Sequence, residues 1–167
     1  MNLWYAITII GEPELWLIST IFFAFVYLFI IRNKVEKNRK TKLKKFLVVV
    51  ILSVWLTTLF VYLLKIFIAK ERPCIPCGFV YEICNVYCPT DSSFPSGHAA
   101  IIFAVFVSFF LSFRNKWFIS LFIIPFLVSA SRYFLGVHYL TDIIAGASIG
   151  ILIPILIKKL YEKYEFC

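Results

Sequence analysis

Acidic residues, histidine and glutamine are scarce in this chain. Of 167 residues only nine are Asp or Glu and two are His, and glutamine is absent. Charged residues of all kinds make up 16%, against 62% hydrophobic and 19% aromatic. Globular proteins run near roughly 45–50% apolar, so a water-soluble domain of this length has no way to hide such a surface. A mean hydropathy of +0.91 says the same, and membrane residence is the economical reading. The first residues, MNLWYAITIIG, lack a basic n-region and a small-residue cleavage site, so no cleavable signal is expected. The missing glutamine, with abundant lysine and isoleucine, fits an AT-rich microbial genome and does not separate bacterium from archaeon.

A net charge of +8 raises the question of nucleic acid, and the placement of the charge answers it. Eight of the 17 basic residues fall in one block, Arg32 to Lys45, between two apolar runs and without interleaved aromatics. That pattern excludes a nucleic-acid partner and reads as a cytoplasmic loop held against anionic membrane lipids. Five spanning helices are predicted: Leu15–Ile31, Phe46–Ala69, Gly97–Phe113, Trp117–Tyr133 and Leu140–Lys158. A short N-terminal segment bearing Trp4 and Tyr5 precedes them, cut off by Gly11-Glu12-Pro13. The expected fold is an all-α, polytopic membrane bundle, a single domain over residues 1–167. With the Arg32–Lys45 block inside, Arg114, Lys116 and the tail from Lys158 are inside too. Only Lys65, Lys70, Arg72 and Arg132 then remain at the outer face.

Three short stretches meet at that outer face. In the first, Lys65 and Arg72-Pro73 lie seven apart, which on a continuous helix points both side chains one way. Lys65 inside an apolar run needs a partner or water, and snorkelling toward the headgroups is the plain alternative. The second is Pro95-Ser96-Gly97-His98 opening a long apolar helix. Ser96 is a natural N-cap and Gly97 permits close approach to the backbone, so the helix start is a ready phosphate seat. Read alone, it is an ordinary capped helix start. His98 adds a group that donates a proton near neutral pH. In the third, Ser131-Arg132 precedes His138 and Asp142, which share one face if helical. A carboxylate bonded to one imidazole nitrogen leaves the other free as a nucleophile, and Arg132 offers a planar fork to phosphate oxygens.

Together, K-x6-R-P, P-S-G-H and S-R-x5-H-x3-D resemble the signature of the type 2 phosphatidic acid phosphatase superfamily. Lys65, Arg72, Pro73, Pro95, Ser96, Gly97, His98, Ser131, Arg132, His138 and Asp142 meet its positions. The resemblance implies an enzyme: a metal-independent phosphatase that needs no cofactor. His138 is then the nucleophile that becomes a phosphohistidine, Asp142 its orienting carboxylate and His98 the acid and base. Lys65, Arg72, Ser96, Gly97 and Arg132 hold the phosphate, with Pro73, Pro95 and Ser131 in support. Larger members have six spans, so the count of five bears on oligomeric contacts and lipid entry more than on chemistry.

The implied substrate is a lipid phosphate or diphosphate in a cell membrane, reached from the extracytoplasmic side by this multi-pass protein. A polyprenyl diphosphate cut to its monophosphate is favoured. Phosphatidic acid or phosphatidylglycerol phosphate comes second and a soluble sugar phosphate third. A non-catalytic lipid-phosphate binder stands as the alternative from another class. Cys74, Cys77, Cys84 and Cys88 share one outward loop, and two disulfides are expected there. The nested pairing Cys74–Cys88 and Cys77–Cys84 is favoured over a zinc site of four thiolates. Ala145, Gly146 and Gly150 form a small-residue stripe for close helix packing.

Overall fold

The structure is a computed structural model that describes residues 3–32, 37–74, 88–113 and 117–165. Among these residues every regular element is a helix: α1 (Leu3–Ile9), α2 (Pro13–Arg32), α3 (Lys37–Ile68), α4 (Gly97–Phe113), α5 (Trp117–Ser120), α6 (Ile123–Phe134) and α7 (Leu140–Glu165). Three stretches, Leu3–Phe29, Thr41–Ile68 and Leu140–Tyr164, are long and apolar enough to cross a membrane, and Gly97–Phe113 and Ile123–Phe134 are shorter apolar helices. Large side chains such as Phe22, Phe25, Phe29 and Phe67 face outward. The protein is an integral membrane protein, and lipid is the surrounding that these faces suit. Arg114, Lys116, Cys77 and Cys84 lie outside the described residues.

The helices depart from the sequence reading at their ends and in one middle. α3 begins inside the basic block and α7 runs past Lys158 to Glu165. Lysine and glutamate are good helix formers. The Lys158–Glu162 pair also adds an i,i+4 contact at 3.9 Å. The expected fourth span, Trp117–Tyr133, is broken between α5 and α6 at Leu121-Phe122. Pro125 accounts for the restart: it sits in the first turn of α6, where a missing N–H loses no intrahelical bond.

α4 is the axis of the bundle. It packs chiefly against α7 and next against α3, and Ala99, Ala100, Ile101, Ile102, Ala104 and Val105 are all fully buried. A helix apolar on every side belongs in such a centre. Val50 and Val54 of α3 close on Ile101 and Val105, with Trp16 of α2 against the cluster. Lys45 pairs with Glu162 while Lys70, just past α3, pairs with Asp142, so α3 and α7 run antiparallel. Lys158 Nζ donates to Leu111 O while Ser96 N–H donates to Asp142 O, so α4 and α7 run parallel. Of the charges on described residues, Lys45 and Lys158 thus gather at one end and the three short stretches at the other.

α4 and α7 cross backbone to backbone, as the small-residue stripe predicts. A Cβ on Gly146 would overlap the Ser96 carbonyl oxygen, and one on Gly150 the Ala100 carbonyl oxygen, both far inside contact distance. Backbone oxygens have no rotamer with which to retreat. Gly150→Val is therefore expected to cost about 1–3 kcal/mol or more, seen as a lower melting temperature in detergent. An unchanged melting temperature would mean that the two helices do not touch there.

Candidate active site

The loop that carries His138 is set by the end of α6. Gly136 has φ of 68°, Val137 N–H donates to Arg132 O at 3.2 Å and Gly136 N–H to Tyr133 O at 2.9 Å. These two bonds with a left-handed glycine form a Schellman cap, which stops α6 and turns the chain into the site. α7 begins at Leu140, two residues past His138, so His138 precedes the helix on which Asp142 lies. Asp142 Oδ2 accepts the Tyr139 N–H at 3.0 Å. An acid in the first turn bonding back to the residue before the helix also suits the helix dipole.

The His138 ring is held from both sides. Nδ1 lies 2.7 Å from the Ser93 carbonyl oxygen, and an acceptor there puts the ring proton on Nδ1. Nε2 lies 3.1 Å from Arg72 Nη1. A guanidinium only donates, so Nε2 carries the lone pair. Arg72 also donates to Val137 O at 3.0 Å and, through Nε, to Asp91 O at 2.9 Å. Burial first, then the charges of Arg72, Arg132 and Lys65, push the His138 imidazole down to about 2, against the opposing pull of the Ser93 carbonyl. The ring is neutral at physiological pH, with a lone pair aimed among cations.

Asp142 takes a place one step behind the one expected of it. It is 3.8 Å from His138 Nδ1, beyond hydrogen-bond length. Its Oδ2 accepts the Ser93 hydroxyl instead, and its Oδ1 accepts Lys70 Nζ at 2.6 Å. Asp142 thus fixes Ser93, and the Ser93 carbonyl fixes the ring. Lys70 also sits 4.3 Å from the Tyr139 ring centroid. The carboxylate is fully buried, where a partner for the charge is needed.

Lys65 and Arg72 converge, though not by sharing a helix. α3 ends at Ile68, and Ala69 turns the chain with φ of 44°. Arg72 precedes Pro73, a position that disfavours helix. Asp91 joins the two cations: Oδ2 is 2.6 Å from Lys65 Nζ and Oδ1 2.6 Å from Arg72 Nη2. Lys65 donates to Ser92 O as well. Burial opposes the charge of Asp91, but the bond and charge of Lys65 and the charge of Arg72 prevail and hold its carboxyl below the usual range.

Ser96 precedes α4 but does not cap it through its side chain. Its Oγ is buried without a hydrogen-bonding partner, as is Arg132 Nε. Unpaired buried groups of this kind cost about 1–3 kcal/mol each, and an anion's oxygens would satisfy both. Gly97 packs toward Val61 and Pro13, where a Cβ would find ordinary contact at 3.8–3.9 Å. Arg132 Nη1 donates to Thr8 Oγ1 at 2.8 Å, and His98 Nε2 lies 2.8 Å from Glu12 Oε2. His98, Arg132, Glu12 and Thr8 line a cavity of about 300 Å³. Ser131 Oγ donates to Val128 O within α6, and the Phe94–Pro95 peptide is cis.

Cys74 and Cys88 form a disulfide, with Cα atoms 6.0 Å apart. The outer member of the expected nested pairs is present, and neither cysteine remains as a thiolate for zinc; Cys77 and Cys84 lie outside the described residues. Asp91, Ser93, Lys70 and Glu12 are site neighbours that the sequence reading missed. A signal existed for one of them. The chain has just two aspartates, as it has two histidines, and all four are here.

A sequence model of the PAP2 superfamily matches residues 42–165. Phosphatidylglycerophosphatase B of Bacillus subtilis (strain 168) is 42% identical over 83 residues, 44% of this chain and 41% of that protein. Undecaprenyl-diphosphatase of Sulfolobus acidocaldarius is 48% identical over 63 residues, 37% of this chain and 30% of that protein. The matched segments thus span less than half the length of these curated relatives. The crystal structure of a transmembrane PAP2-type phosphatidylglycerolphosphate phosphatase from Bacillus subtilis superposes with a TM-score of 0.66 at 25% identity, over 96% of this chain and 76% of that one.

The depressed His138 value ties stability to pH. The unfolded imidazole takes a proton below about pH 6.5 and the folded one does not, so stability falls as pH drops through that value. The slope approaches about 1.4 kcal/mol per pH unit. Melting of the wild type in detergent at pH 7 and pH 5 is expected to show that loss, and His138→Asn to remove this part of it. Equal acid sensitivity in both proteins would refute a buried neutral ring.

Proposed function

This chain belongs to the PAP2 superfamily, and on that premise we propose that it is a membrane phosphatase cleaving a lipid-linked phosphate or diphosphate through a phosphohistidine. The observation that carries the reading is the His138 ring, bound at Nδ1 by the Ser93 carbonyl and presenting the Nε2 lone pair beside Arg72. Nε2 attacks phosphorus as the bond to the leaving oxygen breaks, and His98 gives that oxygen its proton. Water then loses a proton to His98 and attacks phosphorus, releasing inorganic phosphate and the free ring.

The phosphate oxygens take over Lys65 and Arg72 from Asp91 and meet Arg132, Ser96 Oγ and the start of α4. Donors aimed where charge spreads are the main source of rate in phosphoryl transfer. This cation set does the work without a metal ion, so turnover persists in EDTA.

The favoured substrate is a polyprenyl diphosphate cut to its monophosphate. Similarity to a segment of an undecaprenyl-diphosphatase supports it, and a glycerophospholipid phosphate is the competing class. An extracytoplasmic site is supported by two features. Lys45 and Lys158 lie at the far end of the bundle, as the positive-inside rule requires of a cytoplasmic end. The Cys74–Cys88 disulfide suits an oxidising compartment.

Purified protein in detergent with EDTA is expected to release phosphate fastest from polyprenyl diphosphate, ahead of phosphatidylglycerol phosphate, phosphatidic acid and sugar phosphates. His138→Ala is expected to lower the rate by about 10³-fold or more while melting as a folded protein. Wild-type turnover by that variant removes His138 as nucleophile. No release from any class by the wild type leaves a lipid-phosphate binder.

A further inference from the structure

The segment matched by the superfamily model starts at residue 42, so α1, α2 and the turn between them lie outside it. That turn nonetheless reaches the site. Gly11 N–H donates to Thr8 O at 2.9 Å, Glu12 N–H to Ile9 O at 3.1 Å, and the Trp16 indole N–H to Ile10 O at 2.7 Å. α1 is held against α6 by the stacked rings of Trp4 and Phe134, 4.5 Å apart. Gly11 makes the close seat: a Cβ there would overlap Val128 Cγ1 and stand 3.4 Å from His98 Cβ. Two side chains project from this hairpin into the site, Thr8 to Arg132 and Glu12 to His98.

The contact between Glu12 Oε2 and His98 Nε2 is 2.8 Å. An ionised carboxylate only accepts, so the proton in that contact is on Nε2. We propose that Glu12 is a positioning residue for His98, holding the proton on Nε2 and favouring the protonated ring that donates to the leaving oxygen. The inference rests on the phosphatase reading and assigns to the hairpin a part in that chemistry. The other groups that bear on the ring are Arg132 of α6 and Arg72 of the loop after α3, with Tyr5 of α1 at the edge of the shared cavity. Both arginines are positive and repel a protonated imidazole. Glu12 is the negative charge in contact with it.

The exchange balances. Nε2–H passes its proton to the leaving oxygen, and the neutral ring later takes one from the attacking water, which restores the pair with Glu12. The Glu12 side chain is 45% exposed, so it has room to swing aside as the leaving oxygen reaches Nε2.

The test is the pH dependence of kcat/KM, with EDTA present, on whichever of the four substrates the wild type turns over. A rate that needs protonated His98 falls on the alkaline side. In Glu12→Gln that limb is expected to move to lower pH by about one unit, with kcat down about tenfold and KM within about twofold. Glu12→Asp is expected to recover most of both. A limb that stays in place, or a loss confined to KM or melting temperature, overturns the inference and leaves the phosphatase reading standing. A wild type that releases no phosphate overturns both. Apart from any variant, nitrogen-15 NMR of the histidine-labelled wild type is expected to show His98 protonated at Nε2 at pH 7. A ring protonated at Nδ1 alone overturns the inference without kinetics.

Discussion

The polar end of the molecule depends on how closely α4 and α7 approach. Gly146 and Gly150 let α7 lie against the backbone of Ser96 and Ala100, and that proximity lets Ser96 N–H reach Asp142 O. The segment before α4 is drawn in with it. Ser93 then lies between Asp142, which receives its hydroxyl, and His138, whose ring proton meets its carbonyl. A side chain on either glycine would push on the backbone that carries Ser96 and His98. Packing between two apolar helices and the setting of an imidazole are one problem here.

The charges at that end are arranged in short circuits. Asp91 spans Lys65 and Arg72, Asp142 faces Lys70, and Glu12 faces His98. Charges near a bilayer are costly unless partnered, and these partners supply that need. The pairs differ in kind. Asp142 is fully buried, whereas the Asp91 and Glu12 side chains are about half exposed. Carboxylates that water can still reach are the ones able to release their cations to another anion.

Much of this was legible from letters and some was not. The apolar runs give the helices, and Gly146 and Gly150 give the tight crossing. Pro125 marks the start of α6, but the unbroken apolar run around it masks that signal. The joint position of Lys65 and Arg72 was anticipated for a reason that fails: no helix joins them, since Ala69 and Pro73 end it, and Asp91 brings them together instead. The second place of Asp142 was hidden because i,i+4 spacing fixes proximity without fixing which atom stands between two groups. Glu12 could not be paired with His98 by pattern, since 86 residues separate them and only the folded hairpin brings them together.

The Cys74–Cys88 bridge joins a residue two past Arg72 to a residue three before Asp91. Arg72 and Asp91 are thus the first charged side chains outside a covalent tie, like two posts footed on one beam. The Cα atoms of the bridged pair stand 6.0 Å apart, and those two feet cannot part. Release of Arg72 from Asp91 is consequently a matter of χ-angle rotation at the posts, because the beam keeps their feet together.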